Sequence, residues 1–333
     1  MSAPFDMTKK AKKILFFLAS LFLVVIGLFV MHPFYISSIK TRQEQIKTHL
    51  ETLAPLELEY LTNFFKRLVF SGSFGYTIFA DKPMSFEVIH MDMVIPSENI
   101  DEFDYMALEH ILDGYRLREG LETWQKYAHC FPLNGYSIIP FACPLVNCIR
   151  IAIINHHAFI KVVSANLSDF QFVLGKDLSA EMILEKFIAE DTTFFESIFN
   201  HDGLLGTLLG FGRGNAWEYM KMRNSDFNNL ESVLHFFPEK PTDVIIFPPQ
   251  FGVNPKTDET KDLRKKYAIQ WEEVGKIYLD PNFLEIVLFK LCGLGGLKTN
   301  GAETYAKGFT SENISLRHSA FNVLLFAHAE ISI

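Results

Sequence analysis

The segment YSIIPFACPLVNCIRIAIINHHAFIKVVS, residues 136–164, decides the expected fold. It is dominated by isoleucine, valine and phenylalanine, which favour the pleated, half-buried surface of a β-sheet. Three runs within it are predicted to be successive strands, namely residues 136–141, 148–154 and 158–164. Pro140 predicts an edge strand or a bulge in the first run, because proline lacks the N–H group that a central strand donates.

Patterns on either side of this segment predict an α+β class. A further strand is predicted at residues 170–174, and a β-hairpin is predicted upstream at residues 76–88, where Asp81-Lys82-Pro83 have turn chemistry. The predicted helices are residues 97–127, residues 179–200 and a helix that follows the charged run at residues 256–266 and ends near residue 278. Because strands and helices are segregated rather than alternating, we expect a mixed, largely antiparallel sheet packed with helices.

The N-terminal segment has the pattern of a membrane anchor. Four lysines within residues 9–13 precede residues 14–39, which carry no formally charged side chain. The apolar part, residues 14–36, is long enough for a helix to cross a hydrocarbon core of roughly 30 Å. A cleaved signal peptide would have a shorter apolar region followed by a cleavage site of small residues, and the sequence has neither. We therefore expect a retained transmembrane helix.

These patterns divide the chain into four parts. They are a short basic tail at residues 1–13, a transmembrane signal-anchor at residues 14–36, juxtamembrane helices at residues 37–70 and a single α+β extramembrane body at residues 71–333. The juxtamembrane helical stripe should break at Pro55, since proline ends or kinks a helix. Because the tighter lysine cluster precedes the anchor, the positive-inside rule places the N-terminus inside and the body outside an inner (cytoplasmic) membrane.

The segment HDGLLGTLLGFGRGNAWEYM, residues 201–220, is rich in glycine. Gly203, Gly206 and Gly210 fall on one side of a helix, because spacings of three and four residues match the helical repeat. Such a structural glycine face lets two helix backbones approach closely. Each helical glycine costs roughly 1 kcal/mol relative to alanine, so a tight helix contact is expected to offset this cost.

A second interpretation of the same segment is an anion site at Gly212, Arg213, Gly214 and Asn215. If the helix breaks there, Asn215 would cap a new helix whose free N–H groups, beside an arginine, would bind an anion. The segment matches neither the GxGxxG nor the GxxxxGK[ST] phosphate motif. The sequence therefore favours helix packing over anion binding, although both geometries can coexist.

Two blocks of the sequence carry a resemblance. FGYTIFADKP at residues 74–83 and LLGTLLGFGRGNAWEY at residues 204–219 resemble recurring motifs of an uncharacterised family of N-terminally membrane-anchored proteins of intracellular bacteria. The resemblance covers these blocks and the anchor, and it implies no activity. It does imply that the two blocks act together, as a hairpin and a glycine helix packed on one another.

Composition narrows the classes of ligand. A net charge of −8 argues against nucleic-acid binding, which depends on clustered Lys and Arg. The four cysteines have no zinc-binding spacing, and His156-His157 fits a solvated turn between strands better than a chelating pair. No metal and no cofactor are therefore expected. Cys143 and Cys148 could bridge in an oxidising compartment, but buried free thiols are the favoured interpretation.

We therefore expect a membrane-tethered binding or scaffolding protein. Its expected partners are the lipid bilayer, through residues 14–36, and a protein ligand. The 33 phenylalanines among 333 residues require either a large core or a surface that faces a partner. The alternative is a membrane-anchored enzyme, a hydrolase or transferase of envelope material, whose site assembles from scattered residues that carry no motif. No catalytic residue is assigned, and enzymatic activity stays open.

Overall fold

The structure is a computed structural model that describes residues 17, 37–70, 73–90, 117–142, 148–189, 192–222, 230–232 and 246–295. The chain divides into two compact units, Met1–Leu53 and Ala54–Ile333. In the first unit, residues 37–52 are helical, and Ile46 and Leu50 are buried. This helix stops before Pro55, where the sequence predicts a break.

The predicted anchor at residues 14–36 lies outside the described residues, apart from Phe17. Within the described ranges, no helix combines the length and the apolar composition needed to cross a membrane.

The second unit combines helices with two small antiparallel sheets. Its helices are α1 (Pro55–Phe70), α2 (Phe74–Phe79), α3 (His156–Ala165), α4 (Leu167–Leu174), α5 (Ala180–Ile188), α6 (Thr192–Phe199), α7 (Asp202–Leu208), α8 (Arg213–Met222), α9 (Asp258–Tyr278) and α10 (Phe283–Leu291). Residues 117–127 are also helical and lead into a 3-10 turn at Ala128–Cys130. The strands are β1 (Met84–His90), β2 (Tyr136–Ala142), β3 (Cys148–Asn155), β4 (Glu231–Ser232) and β5 (Gly252–Val253). The predicted α+β class is confirmed.

β3 is the central strand of the larger sheet, with β1 on one side and β2 on the other, both antiparallel to it. Phe86 of β1 and Ile139 of β2 both lie opposite Ala152. Residues 151–154 of β3 are fully buried, which explains why this strand is continuously apolar instead of alternating.

Helices cover both faces of this sheet. On one face, Met84, Ala152 and Ile154 join a core to which helices α3 to α7 contribute. On the other face, Ile151 and Ile153 are fully buried, and α2 contacts both β1 and β3. The sheet therefore lies between two helical layers.

Three segments predicted as strands are helices instead. Residues 76–80 overlap α2, and residues 158–164 and 170–174 belong to α3 and α4. Their aromatic and β-branched residues reflect burial and not an extended backbone, since strand propensity mainly measures how well a side chain packs. In α3, for example, the buried Phe159 and Val163 are four residues apart, on one helical face.

The hairpin predicted around Asp81-Lys82-Pro83 is therefore wrong, because only its second arm is a strand. The single helix predicted at residues 179–200 is divided into α5 and α6, and residues 190–191 between them lie outside the described part. Of the predicted helix at residues 97–127, the described residues from 117 onward are helical.

Asn155 explains why the chain passes directly from strand β3 into helix α3. Its Oδ1 accepts a hydrogen bond from the Ala158 N–H at 3.1 Å, which satisfies one of the free amides at the helix start. Its Nδ2 donates to Thr77 O at 3.2 Å, and its backbone N–H donates to Pro83 O at 2.9 Å. The side chain of Asn155 thus joins α2 to α3, and its backbone N–H bonds to the residue that precedes β1.

We predict that Asn155→Ala lowers the free energy of unfolding by about 1–2 kcal/mol, because a helix cap and the part-buried hydrogen bond from the side-chain amide to Thr77 O are lost. Urea denaturation followed by circular dichroism measures the change. Asn200→Ala is the matched control, since Asn200 is exposed. An unfolding midpoint that Asn155→Ala leaves at the parental value would contradict the capping role.

Candidate functional site

Two glycines allow α7 to pack closely against α8. A Cβ atom added at Gly206 would lie 2.8 Å from Cβ of Ala216, and one added at Gly203 would lie 3.0 Å from the ring of Trp217. Real Cβ atoms essentially never lie as close as 2.8 Å to another heavy atom, so the helix contact requires glycine at position 206, and a side chain at position 203 would make an unusually tight contact. Gly203 and Gly206 thus lie in a helix contact of the kind that the sequence predicts.

Gly210 does not belong to this face, because α7 ends at Leu208. The chain turns through Gly210 and Gly212, whose φ angles of 76° and 86° lie in the left-handed region that favours glycine. Tyr267 Oη donates a hydrogen bond to Gly210 O at 2.8 Å. The predicted helical position of Gly210 is therefore wrong, and its role is to form a turn against α9.

The two sequence blocks meet at this turn. A Cβ atom at Gly210 would lie 3.3 Å from Cγ of Lys82 and 3.5 Å from Cδ of Pro83. The first block contributes helix α2 and the Lys82-Pro83 connection, not a hairpin.

The N-terminus of α8, where the sequence suggests an anion site, is occupied by a carboxylate of the chain itself. The helix begins at Arg213, so Asn215 lies inside its first turn and is not its cap. The N–H groups of Gly214 and Asn215 donate to the two carboxylate oxygens of Glu259, each at 3.1 Å. Glu259 comes from the first turn of α9, and it therefore joins two helix starts.

The side chains of the suggested anion site are also bonded within the protein. Arg213 donates two hydrogen bonds to the Asp169 carboxylate, one of them from Nη2 at 2.9 Å. Asn215 is 1% exposed, accepts from the Asn254 N–H at 2.9 Å and donates to Phe211 O at 3.0 Å. The donors that an external anion would need are thus already in use.

Lys82 is a buried cation without a carboxylate partner among the described residues. It is 3% exposed, and its Nζ donates to Ser85 Oγ at 2.9 Å. Ser85 Oγ in turn donates to Ser73 O at 3.0 Å and lies 2.8 Å from Thr77 Oγ1. Burial, assisted by repulsion from Lys266, lowers the pKa of Lys82 to about 7.

A neutral lysine that is hydrogen-bonded to serine has the composition of a nucleophile–base pair. However, Ser85 and Thr77 are completely buried, so no substrate reaches the hydroxyl group in this conformation. The neighbouring Asp81 carboxylate is bonded to Lys266 and Gln270, both at 2.8 Å, and not to Lys82. Protonation of Lys82 therefore destabilises the folded state in a pH-dependent way. The arrangement does not form an open catalytic site.

His156 and Ser137 form a second polar pair, at the junction of β2 and α3. Ser137 Oγ lies 2.9 Å from His156 Nε2, and both side chains are partly exposed. Burial lowers the pKa of His156, which favours the neutral imidazole at pH 7. His156 and His157 begin helix α3, so the predicted turn between strands is wrong. Among the described residues, no group of three or more His, Cys, Asp or Glu could hold a metal.

A partly exposed aromatic surface lies on the α3–α7 side of the sheet. Its rings come from β1, β2 and α6, namely Phe86, Phe141, Phe195 and Phe199. The ring centroids of Phe141 and Phe195 are 4.3 Å apart, and those of Phe195 and Phe199 are 4.2 Å apart. The excess of phenylalanine in the sequence is thus used in part to build a continuous surface and not only the core.

Arg150 of β3 lies at this surface. Its guanidinium carbon is 5.6 Å from the ring centroid of Phe199, and in the sheet it is opposite Phe141 and Val88. Its Nε is buried without a hydrogen-bond partner, and no described carboxylate forms an ion pair with it. Burial lowers the pKa of Arg150, as expected for a cation whose charge is poorly solvated. We call Arg150 and the four rings the Phe–Arg surface.

The sequence analysis missed the Phe–Arg surface. Its one local signal is a single arginine inside CIRIAII, a run that predicts a buried strand, because a charge is costly there unless it has a partner. The four phenylalanines that surround Arg150 are spread over more than a hundred positions, and only the sheet register and α6 bring them together.

The cysteines differ from the favoured interpretation in part. Cys148 at the start of β3 is disulfide-bonded, whereas Cys130 and Cys292 are not. Cys143 lies outside the described residues.

Comparison of the chain with models of protein families, with curated proteins and with solved structures finds no match.

We predict that Glu259→Ala lowers the free energy of unfolding by about 1–2 kcal/mol, because two amides at the start of α8 lose a charged acceptor. Arg213→Ala should cost less than about 1 kcal/mol, since its ion pair is solvent-exposed. Asp262→Ala, an exposed carboxylate on the same helix as Glu259, is the control for urea denaturation. Equal effects of Glu259→Ala and Asp262→Ala would show that the cap contributes nothing.

We also predict that stability depends on pH through Lys82. The unfolded chain keeps this proton up to a pKa near 10.5, whereas the folded chain releases it at about 7. The unfolded state therefore binds more protons between these values, so the free energy of unfolding should rise with pH by up to about 1.4 kcal/mol per unit in that window.

Lys82→Met removes this dependence. The variant should be more stable than the parent near pH 7, and its curve should be flatter between about pH 7 and pH 9. Lys265→Met, at an exposed lysine, should keep the parental slope. Parallel curves for Lys82→Met and the parent would rule out Lys82 as the titrating group.

Proposed function

We propose that this protein is a membrane-tethered binding body, anchored through residues 14–36 and presenting the Phe–Arg surface to a ligand. The observation that carries the proposal is Arg150, a partly buried cation that no described carboxylate pairs with and whose guanidinium carbon lies 5.6 Å from the Phe199 ring centroid, among partly exposed rings. A cation of this kind is costly to keep within a fold unless a partner compensates it. A surface that binds an anionic partner supplies that compensation.

The tether rests on the sequence. Residues 14–39 carry no formal charge and follow four lysines, the combination expected of a retained signal-anchor with a cytoplasmic N-terminus. The disulfide at Cys148 supports a body on the outer side of an inner membrane, because disulfides persist mainly in oxidising compartments. The resemblance to anchored proteins of intracellular bacteria agrees with this location.

Membrane fractionation of the full chain tests the tether. We expect the protein to stay with membranes through high-salt and alkaline washes and to be released by detergent, since an apolar helix is held by the hydrocarbon core. A variant without residues 14–36 is the control and should be soluble. Release of the full chain by salt alone, or a mature N-terminus beyond Ser38, would overturn the proposal.

Protease accessibility tests the orientation in the same membranes. Protease added outside intact spheroplasts should digest the body and leave the basic tail at residues 1–13 protected. Digestion only after the cells are lysed would reverse the orientation.

A second candidate function is hydrolysis of an ester or amide, and the Ser137–His156 pair favours it. A neutral imidazole that accepts a hydrogen bond from a serine hydroxyl can act as its general base. The described residues supply no carboxylate bonded to the other nitrogen of His156, which separates this pair from a complete triad.

A fluorophosphonate probe discriminates between the two functions. In a hydrolase, Ser137 Oγ would attack phosphorus with loss of fluoride, and labelling would disappear in Ser137→Ala and His156→Ala but persist in His157→Ala. The binding function predicts no labelling that depends on Ser137. Mass spectrometry of the labelled peptide gives the answer directly.

A further inference from the structure

The Phe–Arg surface has an unusual chemical composition for a binding surface. Four of its five side chains are phenylalanines, and Arg150 is the fifth. The rings are in mutual contact, with centroid separations of 4.2–5.6 Å, so they form a continuous apolar area and not isolated exposed residues. A ligand that covers these five described side chains therefore meets phenyl rings and one guanidinium group.

The charge of Arg150 determines which chemical group is expected at one end of the ligand. The guanidinium carbon lies 5.6 Å from the Phe199 ring centroid, a cation–π distance that places the charge beside the aromatic area. A guanidinium prefers a bidentate acceptor such as a carboxylate. The Asp169 carboxylate shows that pairing elsewhere in this fold, on Arg213.

The rings set the rest of the ligand, because the four phenylalanine side chains offer no hydrogen-bonding group. A peptide laid across the surface would bury N–H and C=O groups against phenylalanine rings, and each such group is costly without a hydrogen-bond partner. An acyl chain has no such groups and gains from every ring that it covers. The surface thus favours a chain of methylene groups over a polypeptide.

We propose that the Phe–Arg surface binds the carboxylate of a medium- or long-chain fatty acid at Arg150 and its acyl chain across Phe141, Phe195 and Phe199. The inference deepens the proposed function and rests on it for the source of the ligand, since a body held at a bilayer is close to acyl chains. Binding leaves the tether unchanged and gives the body a way to sense or carry an anionic amphiphile.

The test uses the full chain in phosphatidylcholine nanodiscs, with empty nanodiscs as the background. A dansyl-labelled undecanoic acid reports binding by its fluorescence, and decanoate and decanol compete for it. Decanoate should displace the probe at least about tenfold better than decanol, because only the carboxylate makes charge-assisted hydrogen bonds to Arg150. Equal displacement by the acid and the alcohol would overturn the proposal without any variant.

Variants locate the binding. Arg150→Leu should weaken decanoate at least about tenfold and leave decanol nearly unchanged, since the lost interaction is with the charge. Phe195→Ala should weaken both competitors. Arg213→Gln, at an arginine that is paired with Asp169, is the matched control and should bind as the parent does. Unchanged decanoate affinity in Arg150→Leu would overturn the proposal.

Two further outcomes separate this inference from the function on which it rests. If fractionation shows no membrane tether but decanoate binding still depends on Arg150, the proposed tether is refuted and the proposed fatty-acid site is supported. If the tether is intact but decanoate and decanol compete equally, the proposed fatty-acid site is refuted and the proposed tether is supported. Displacement of the probe by a peptide with an apolar C-terminal residue at lower concentration than decanoate would replace the acyl ligand and overturn the proposal.

Discussion

The antiparallel pairing of β3 with both β1 and β2 is the constraint on which the described fold depends. This register buries residues 151–154 between two helical layers. It also sets Arg150 beside Phe141 and opposite Val88, on the side where α6 brings two more rings. A slip of one residue would turn every side chain of a strand to the other face, placing Arg150 against α2 and removing the Phe–Arg surface. The same pairing that makes the core therefore makes the candidate site.

Several charged and amide groups are bonded to other parts of the described fold, and two buried or partly buried cations are not. Glu259 caps α8, Asn155 caps α3, and Asp169 pairs with Arg213, so these charges and amides stabilise the fold and leave nothing for a ligand. Lys82 and Arg150 are different, because burial of each cation is not compensated by a described carboxylate. Lys82 is enclosed and responds by lowering its pKa. Arg150 is partly exposed, so a ligand can pair with its charge. Solvent access thus distinguishes Arg150, a candidate binding group, from Lys82, a structural group.

Sequence patterns predict burial better than they predict backbone conformation in this chain. β2 and β3 lie where their patterns place them, because strand length and flanking turn residues agree with the apolar content. α9 ends at Tyr278 as expected, but it begins at Asp258, inside the charged run that is expected to precede it. Residues 76–80, 158–164 and 170–174 have the same aromatic and β-branched content, yet they form helices, since their neighbours offer helical packing. Asn155 is a local signal that could have corrected one of these predictions. For Arg150, the sequence offers only an isolated charge in an apolar run.

The sequence by itself determines the α+β class, the break before Pro55 and the need for glycine at the α7–α8 contact, because each follows from local geometry or from composition. The proposal of a membrane tether also rests on the sequence, namely on the uncharged residues 14–39 that follow four lysines. The tertiary structure alone decides that Glu259 occupies the start of α8, that Gly210 is a turn beside Lys82, and that rings from β1, β2 and α6 surround Arg150. The contacts of Glu259 with α8 and of Gly210 with Tyr267 join residues 44 or more positions apart, and no local pattern specifies which distant groups will meet.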